Sequence, residues 1–285
     1  MPIDPKKALA AEFPKDRAEW DHDRVILYQL GIGAGVPPTD PKELEYTYEK
    51  NLKVLPSFAV IPVFKAMGDI TKVPGLSFNL ASLLHGEQDI EIAEALPPAA
   101  KVETTGRIAN IYDKGKAAVV VVELTAKEAS GGEVLFINRS TMFLRGEGGF
   151  GGDSGPKPGN HPPEREPDLV VESTTLPQQA LFYRLSGDKN PLHADPDFAK
   201  MAGFDQPILH GLCSYGMICK AVVDHALDGD PARVARYQVR FAGVVFPGET
   251  IVTSMWREDG KILLQAKTKE RDTPVITNAA ITLRG

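Results

Sequence analysis

Apolar and polar positions follow two different rhythms along this chain. Between Asp89 and Gly146, β-branched and apolar residues recur, often at every second position, in Ile90–Ile92, Lys101–Ile111, Ala117–Leu124 and Val134–Leu144. Pro-Pro, Asp-Lys-Gly and Gly-Gly turns separate these runs, which predicts a set of antiparallel strands. The rhythm returns in Arg236–Val245, Thr250–Arg257, Lys261–Lys269 and Val275–Leu283, with Val170–Thr174 ahead of them. Two apolar runs break it. Pro56–Met67 predicts a buried helix opening at Pro56 and kinked at Pro62, and Leu212–Ala226 predicts a second long helix. The charged, proline-containing Met1–Trp20 reads as an arm on the surface.

The same order of elements occurs twice. Ala95-Leu96-Pro97-Pro98 leading into Val102 resembles Val245-Phe246-Pro247-Gly248 leading into Ile251, and Asp113-Lys114-Gly115-Lys116 resembles Glu258-Asp259-Gly260-Lys261. Leu144-Arg145-Gly146 ends one series as Leu283-Arg284-Gly285 ends the other. Each half thus offers one long helix and about four antiparallel strands, and an apolar sheet face needs such a cover. The expected architecture is α+β, with two sheets set side by side. Residues 1–147 and 169–285 form the two domains, and the Gly- and Pro-rich residues 148–168 link them.

Composition narrows the picture without redirecting it. With 285 residues, 42% hydrophobic and 25% charged, the chain can bury a sizeable core. A net charge of −6 speaks against nucleic acid as the main partner. No apolar run reaches the roughly 18–20 residues of a membrane helix. Met1–Lys15 has no apolar signal core, and Thr282–Gly285 is not a peroxisomal address, so a cytoplasmic location is expected. Cys213 and Cys219 are badly phased for a disulfide and lack zinc-ligand spacing; they read as small buried hydrophobes. Gly31-Ile32-Gly33-Ala34-Gly35 is not a dinucleotide fingerprint, because no hydrophobic strand precedes it and Pro37-Pro38 stands where a helix is required.

The chemistry concentrates in Ser186-Gly187-Asp188-Lys189-Asn190-Pro191-Leu192-His193. Gly and Asn-Pro predict a tight loop, and Asp195, Pro196 and Gly203 are the cap, first residue and terminator of a short helix, Pro196–Ala202. A carboxylate and an imidazole on one stiff loop can serve as an acid/base pair; a capping Asp beside a satisfied surface His is the bland alternative.

The run from Tyr183 to Pro196, continued by Pro207-Ile208-Leu209-His210-Gly211-Leu212, resembles the signature of the MaoC-like, type-2 (3R)-specific enoyl-CoA hydratases. Tyr28-Gln29-Leu30-Gly31-Ile32-Gly33, Leu84-His85-Gly86-Glu87-Gln88 and Phe150-Gly151-Gly152 extend the likeness over nearly the whole length. They make it look like the hydratase region of peroxisomal multifunctional enzyme type 2. The resemblance implies a double hot-dog fold in which only the second half keeps the catalytic loop. The implied reaction is reversible addition of water to a trans-2-enoyl-CoA, giving a (3R)-3-hydroxyacyl-CoA in fatty-acid or sterol side-chain β-oxidation. It also implies an acyl-CoA thioester partner and a homodimer; with no metal cluster, P-loop or flavin motif in the sequence, no metal and no cofactor besides that CoA are expected.

By the same likeness Asp188 and His193 are the acid/base pair, with Asn190 orienting the water or stiffening the loop. A backbone N–H at the start of the second long helix is the natural donor to an enolate oxygen, which selects Gly211. Lys189, Pro191 and Leu192 are expected against the substrate, and His210 is expected to line the site as a structural histidine. His85, Gly86 and Lys114 carry the family's CoA contacts, and Phe241 packs on the ligand. His22, His161 and His225 take no role. A non-catalytic acyl-CoA or acyl-carrier binding protein, or a 3-hydroxyacyl thioester dehydratase of lipid synthesis, would share the fold; acyl length and direction stay open.

Overall fold

The structure, a computed structural model, describes residues 3–285. The first half contains β1 (Asp16–Trp20), β2 (Leu83–Ile92), β3 (Ala100–Asp113), β4 (Ala117–Glu128) and β5 (Val134–Arg145). The second contains β6 (Leu169–Thr174), β7 (Val234–Phe241), β8 (Thr250–Glu258), β9 (Lys261–Thr268) and β10 (Pro274–Leu283). Helices α1 (Pro5–Leu9), α2 (His22–Gly31), α3 (Pro41–Thr47) and α4 (Phe64–Met67) belong to the first half. Helices α5 (Gln179–Tyr183), α6 (Pro196–Met201) and α7 (Gly211–Ala226) belong to the second.

All ten strands join in one antiparallel sheet ordered β1-β3-β4-β5-β2-β7-β10-β9-β8-β6. From either edge inward the chain order is the same: first, third, fourth, fifth, second. The two halves are therefore one topology used twice, joined where β2 pairs with β7 from Glu87↔Arg240 to Glu91↔Arg236. This is the double hot-dog arrangement that the resemblance implies, and it agrees with the repeat. On the outer face of that seam Arg236 makes two bonds to Asp89, at 2.8 and 2.6 Å, and Arg139 reaches Glu91 at 2.6 Å and Glu123 at 2.7 Å.

Three expectations need correction. Met1–Trp20 is not simply a surface arm. Asp16–Trp20 forms edge strand β1 on β3, the counterpart of β6, and Trp20 is buried; Met1 and Pro2 lie outside the described residues. Second, Pro56–Met67 is buried but is not a long helix. It runs as a 3₁₀ turn, Pro56–Val60, then the single turn α4. Pro62 has no N–H for the carbonyl four residues back, and the bonds on either side, Ile61 N to Phe58 O and Phe64 N to Ile61 O, are the tighter three-residue kind. Only α7 is the long central helix, buried almost all round. Third, β2 begins at Leu83, well before Ile90, which places His85 and Gly86 inside a strand. The register slips between His85 and Glu87, and a Cβ on Gly86 would press the Thr141 carbonyl at 3.3 Å.

Cys213 and Cys219 are free and buried, and burial pushes both thiols up, Cys219 to about 12. The Tyr28–Gly33 run is a brace. Buried Gln29 donates to Tyr46 O and accepts from Leu55 N, and buried Gln179 donates to Gly31 O at 2.6 Å. These bonds fix α2 against α5, the helix that leads into the Asp188 loop.

Candidate active site

The loop is built from nested turns. Gly187 has φ +142°, a conformation closed to most side chains, and it turns the chain out of α5. Asp188 then accepts from Asn190 N at 3.0 Å, and Asn190 accepts from Leu192 N at 3.0 Å. Two successive side-chain-to-backbone turns of this kind make the loop rigid without a core of its own. Asp195 caps α6 through Asp197 N and Phe198 N, with Pro196 as its first residue. Arg24 of α2 donates to Ser186 O at 3.4 Å, so the first half also holds the loop.

The hydrogen bonds fix the protonation of both histidines. His193 is 8% exposed, and its Nδ1 lies 2.8 Å from the Ile208 carbonyl. A carbonyl only accepts, so Nδ1 carries the proton and Nε2 keeps a lone pair. Burial pushes the His193 pKa down, against the opposing pull of that bond and of the Asp188 charge. His210 is 1% exposed and stacks on His193 with ring centroids 3.7 Å apart. Its Nε2 donates to the Asp188 carbonyl at 3.2 Å, and its Nδ1 has no partner among the described residues. Burial, then the neighbouring His193, holds His210 down to about 3. Ligating atoms of Asp188, His193 and His210 all lie within 4.8 Å of one another, close enough to grip one water.

Beside this cluster α7 begins. Gly211 is its first residue, no side chain caps it, and the His210 carbonyl accepts from Cys213 N and Ser214 N. The Gly211 N–H thus stands free of the helix at its positive end. Phe241 packs over this point, with its Cε1 3.4 Å from where a Gly211 Cβ would be, and also meets His85 at a centroid distance of 5.0 Å.

Two connected spaces meet here. An inner cavity of about 380 Å³ is lined by Asp188, Asn190, Leu192, His193, His210 and Gly211, and from across the seam by His85 and Phe241. An outer cleft of about 830 Å³ shares His85 and Phe241 and adds Gly86, Lys114, Arg145, Lys157 and Arg240. Lys114 donates to the Ser154 carbonyl of the linker. Neighbouring Asp113 anchors the linker through the N–H groups of Gly149 and Gly151, which with Gly115 N–H hold its carboxyl at about 2.

Ten of the twelve expected residues therefore border these spaces. Lys189 and Pro191 line neither and are exposed on the outside of the loop. There they offer backbone carbonyls, to Arg184 from Lys189 and to Ala194 and Asp195 from Pro191. Sequence reasoning missed Gln88, Asn138 and Ser140 in the inner cavity wall. The signal was present: Phe136, Asn138, Ser140, Met142 and Leu144 share one parity of β5, and that apolar face is interrupted twice by polar residues.

The molecule is thus a double hot-dog protein with, among the described residues, one clustered acid–histidine site, in its second half. Residues 159–279 match the MaoC like domain, and residues 19–146 match the MFE-2 hydratase 2 N-terminal domain. The chain is 45% identical to enoyl-CoA hydratase ChsH3 of Mycobacterium tuberculosis, over 97% of both chains. It is 43% identical to the peroxisomal enoyl-CoA hydratase 2 of Arabidopsis thaliana, over 94% of this chain and 92% of that one. A crystal structure of a MaoC-like dehydratase from Phytophthora capsici superposes with a TM-score of 0.90 at 34% identity, covering 99% of this chain and 98% of that one. The chain belongs to the MaoC-like, type-2 enoyl-CoA hydratase family.

Proposed function

We propose that this protein is a hydro-lyase, a (3R)-specific enoyl-CoA hydratase acting in β-oxidation, with residues 169–285 as its catalytic domain and residues 1–147 accommodating the acyl chain. The observation that carries the reading is the convergence of the Asp188 carboxylate, the His193 lone pair and the free Gly211 N–H on one cavity. Family membership supplies the substrate class.

A water held between Asp188 and His193 attacks Cβ of the enoyl thioester. His193 Nε2 takes one of its protons as the C–O bond forms, and the anionic Asp188 accepts from the other. Electron density moves to the thioester oxygen, where the Gly211 N–H and the α7 dipole stabilise the enolate. The proton held on His193 then passes to Cα. Water has added as a whole, and both side chains return to their starting states. His210, neutral and stacked on His193, positions that ring and ties it to the Asp188 backbone. The CoA moiety enters as part of the substrate, with Lys114, His85 and Gly86 along its path. Two chains forming a homodimer would cover the exposed sheet edges, which a dimeric mass by light scattering would support.

The direct test is turnover. Purified protein should bleach the enoyl thioester absorbance of crotonyl-CoA, and a (3R)-specific dehydrogenase should accept the product. Full activity in Asp188→Asn or His193→Ala would overturn the assignment.

A further inference from the structure

The inner cavity has one wall unlike the rest. Val60, Val63, Phe64 and Met67, from the broken counterpart of α7, make part of it apolar. Facing the same space from β2 and β5 are Gln88, Asn138 and Ser140, only 1%, 2% and 3% exposed. Three polar side chains this deep need partners, and most of their bonds close among themselves.

The bonds also fix which way each amide points. Gln88 Nε2 lies 3.2 Å from the Arg139 carbonyl, which can only accept, so the nitrogen of Gln88 is assigned by its neighbour. Its second hydrogen goes to Asn138 Oδ1 at 3.0 Å, which in turn fixes the Asn138 amide. Ser140 Oγ donates to Gln88 Oε1 at 3.0 Å. Both hydrogens of Gln88 are then used, and its side chain also meets His85. Those of Asn138 are not: its oxygen accepts from Gln88, with Ser140 Oγ 3.3 Å away, but no described residue accepts from its Nδ2. An amide donor with two free hydrogens borders a cavity whose occupant, on the reading above, is an acyl chain.

We propose that Gln88, Asn138 and Ser140 form a recognition subsite for an oxygen atom, hydroxyl or carbonyl, carried on the acyl chain. Asn138 Nδ2 is the donor to that oxygen, Ser140 Oγ offers an acceptor to a hydroxyl, and Gln88 locks both. This rests on the hydratase reading and names the substrate class within it: oxygenated rather than plain alkyl enoyl thioesters. The wall starts beside His85: on β5 the partners of His85 and Gln88, Met142 and Ser140, are two residues apart, roughly 7 Å at about 3.3 Å per residue. The subsite exists because the first half lacks a full central helix, which leaves the inner face of β2 and β5 open to the ligand. A plain alkyl tail would leave the buried amide donor unsatisfied, whereas an oxygenated one satisfies it.

The experiment compares kcat/KM for crotonyl-CoA, for a medium-chain trans-2-enoyl-CoA, and for chain-matched analogues with one hydroxyl or keto group walked along the tail. Crotonyl-CoA carries no oxygen on its tail and reports the chemistry alone. The expected result is a preference of about tenfold or more for one oxygenated position over the plain chain. In Asn138→Leu and Ser140→Ala that preference should fall to near unity, with crotonyl-CoA turnover kept. Retained crotonyl-CoA turnover also shows that each variant is folded, and Asn138→Asp, of equal size but without the donor, should lose the preference too. Crotonyl-CoA turnover with no preference at any tail position, or a preference that survives in Asn138→Leu and Asn138→Asp, overturns the subsite. A wild-type protein that does not hydrate crotonyl-CoA removes the hydratase reading, and the subsite with it.

Discussion

The two halves share one strand permutation and differ in what fills it. In the second half the chain between β6 and β7 carries the acid–histidine loop and a continuous helix, α7. In the first half the stretch between β1 and β2 carries Gly33–Asp40, without an acid–histidine pair, and a helix broken at Pro62. The difference teaches that the same sheet can support either chemistry or space. An intact helix presents a free N-terminus to the cavity; a broken one leaves a cavity wall. Each half still needs the other, since Arg24 of the first holds the Asp188 loop and Phe241 of the second meets His85.

Several substitutions would break or sharpen this contrast. The largest effect should come from the second-half loop. Asp188→Asn or His193→Ala should lower kcat/KM by about 10²–10⁴-fold, while Asp40→Asn in the first-half loop, which keeps its cap on α3, leaves turnover unchanged. A steady-state comparison of the three reads this out; equal losses would erase the distinction between the halves.

Gly211→Ala separates chemistry from folding. Alanine suits a helix better than glycine by about 1 kcal/mol, but its Cβ would lie in contact with Phe241 at 3.4 Å and take up space beside the Gly211 N–H. Activity should fall by about tenfold or more through misplacement, with a melting temperature that does not drop.

Lys114→Ala tests the first half's share in ligand binding. KM for acyl-CoA should rise roughly fivefold, about 1 kcal/mol, with kcat kept. A fall in kcat alone would place Lys114 in the chemistry instead.

The buried histidines predict acid sensitivity of both activity and fold. With its pKa pushed down by burial, His193 stays an unprotonated base to below its ordinary 6.5. The acid limb of the kcat/KM profile should therefore lie under that value. For His210 the folded pKa of about 3 lies below the unfolded one. Its contribution is complete above pH 6.5 and is lost as pH falls from there towards 3, with a slope of about 1.4 kcal/mol per pH unit. Urea titrations across that window check it, and His210→Gln should make the slope shallower.

The smallest effect is at the seam. Asp89→Asn weakens the paired bonds from Arg236, which is partly exposed. About 1 kcal/mol is expected, or roughly 2–4 °C in a thermal melt, with no change in kcat.

The strands, the repeat, α7 and the Asp188–His193 loop were legible in the sequence because each is a local matter. Alternation marks a half-buried strand, Asp-Lys-Gly and Glu-Asp-Gly-Lys mark tight turns, and Asn-Pro fixes a loop whatever surrounds it. Strand β1 was not legible: five residues, Asp16–Trp20, carry only one buried side chain, and their pairing partner is more than eighty positions away. The break at Pro62 was half-legible, since a proline announces a kink but not whether the chain re-forms a helix beyond it.

By itself, then, the sequence marked the Asp188–His193 loop and the start of α7, and that one half alone has this loop, because a stiff loop and a helix start are set by neighbours in the chain. Only the tertiary structure decided the rest. It turned Lys189 and Pro191 outward, since nested turns leave their side chains on the solvent side. It assigned the protons of His193 and His210, since Ile208 and Asp188 supply carbonyls that can only accept. It gathered Gln88, Asn138 and Ser140 on a wall that no helix covers, since strands far apart in sequence share one inner face only when the sheet is formed.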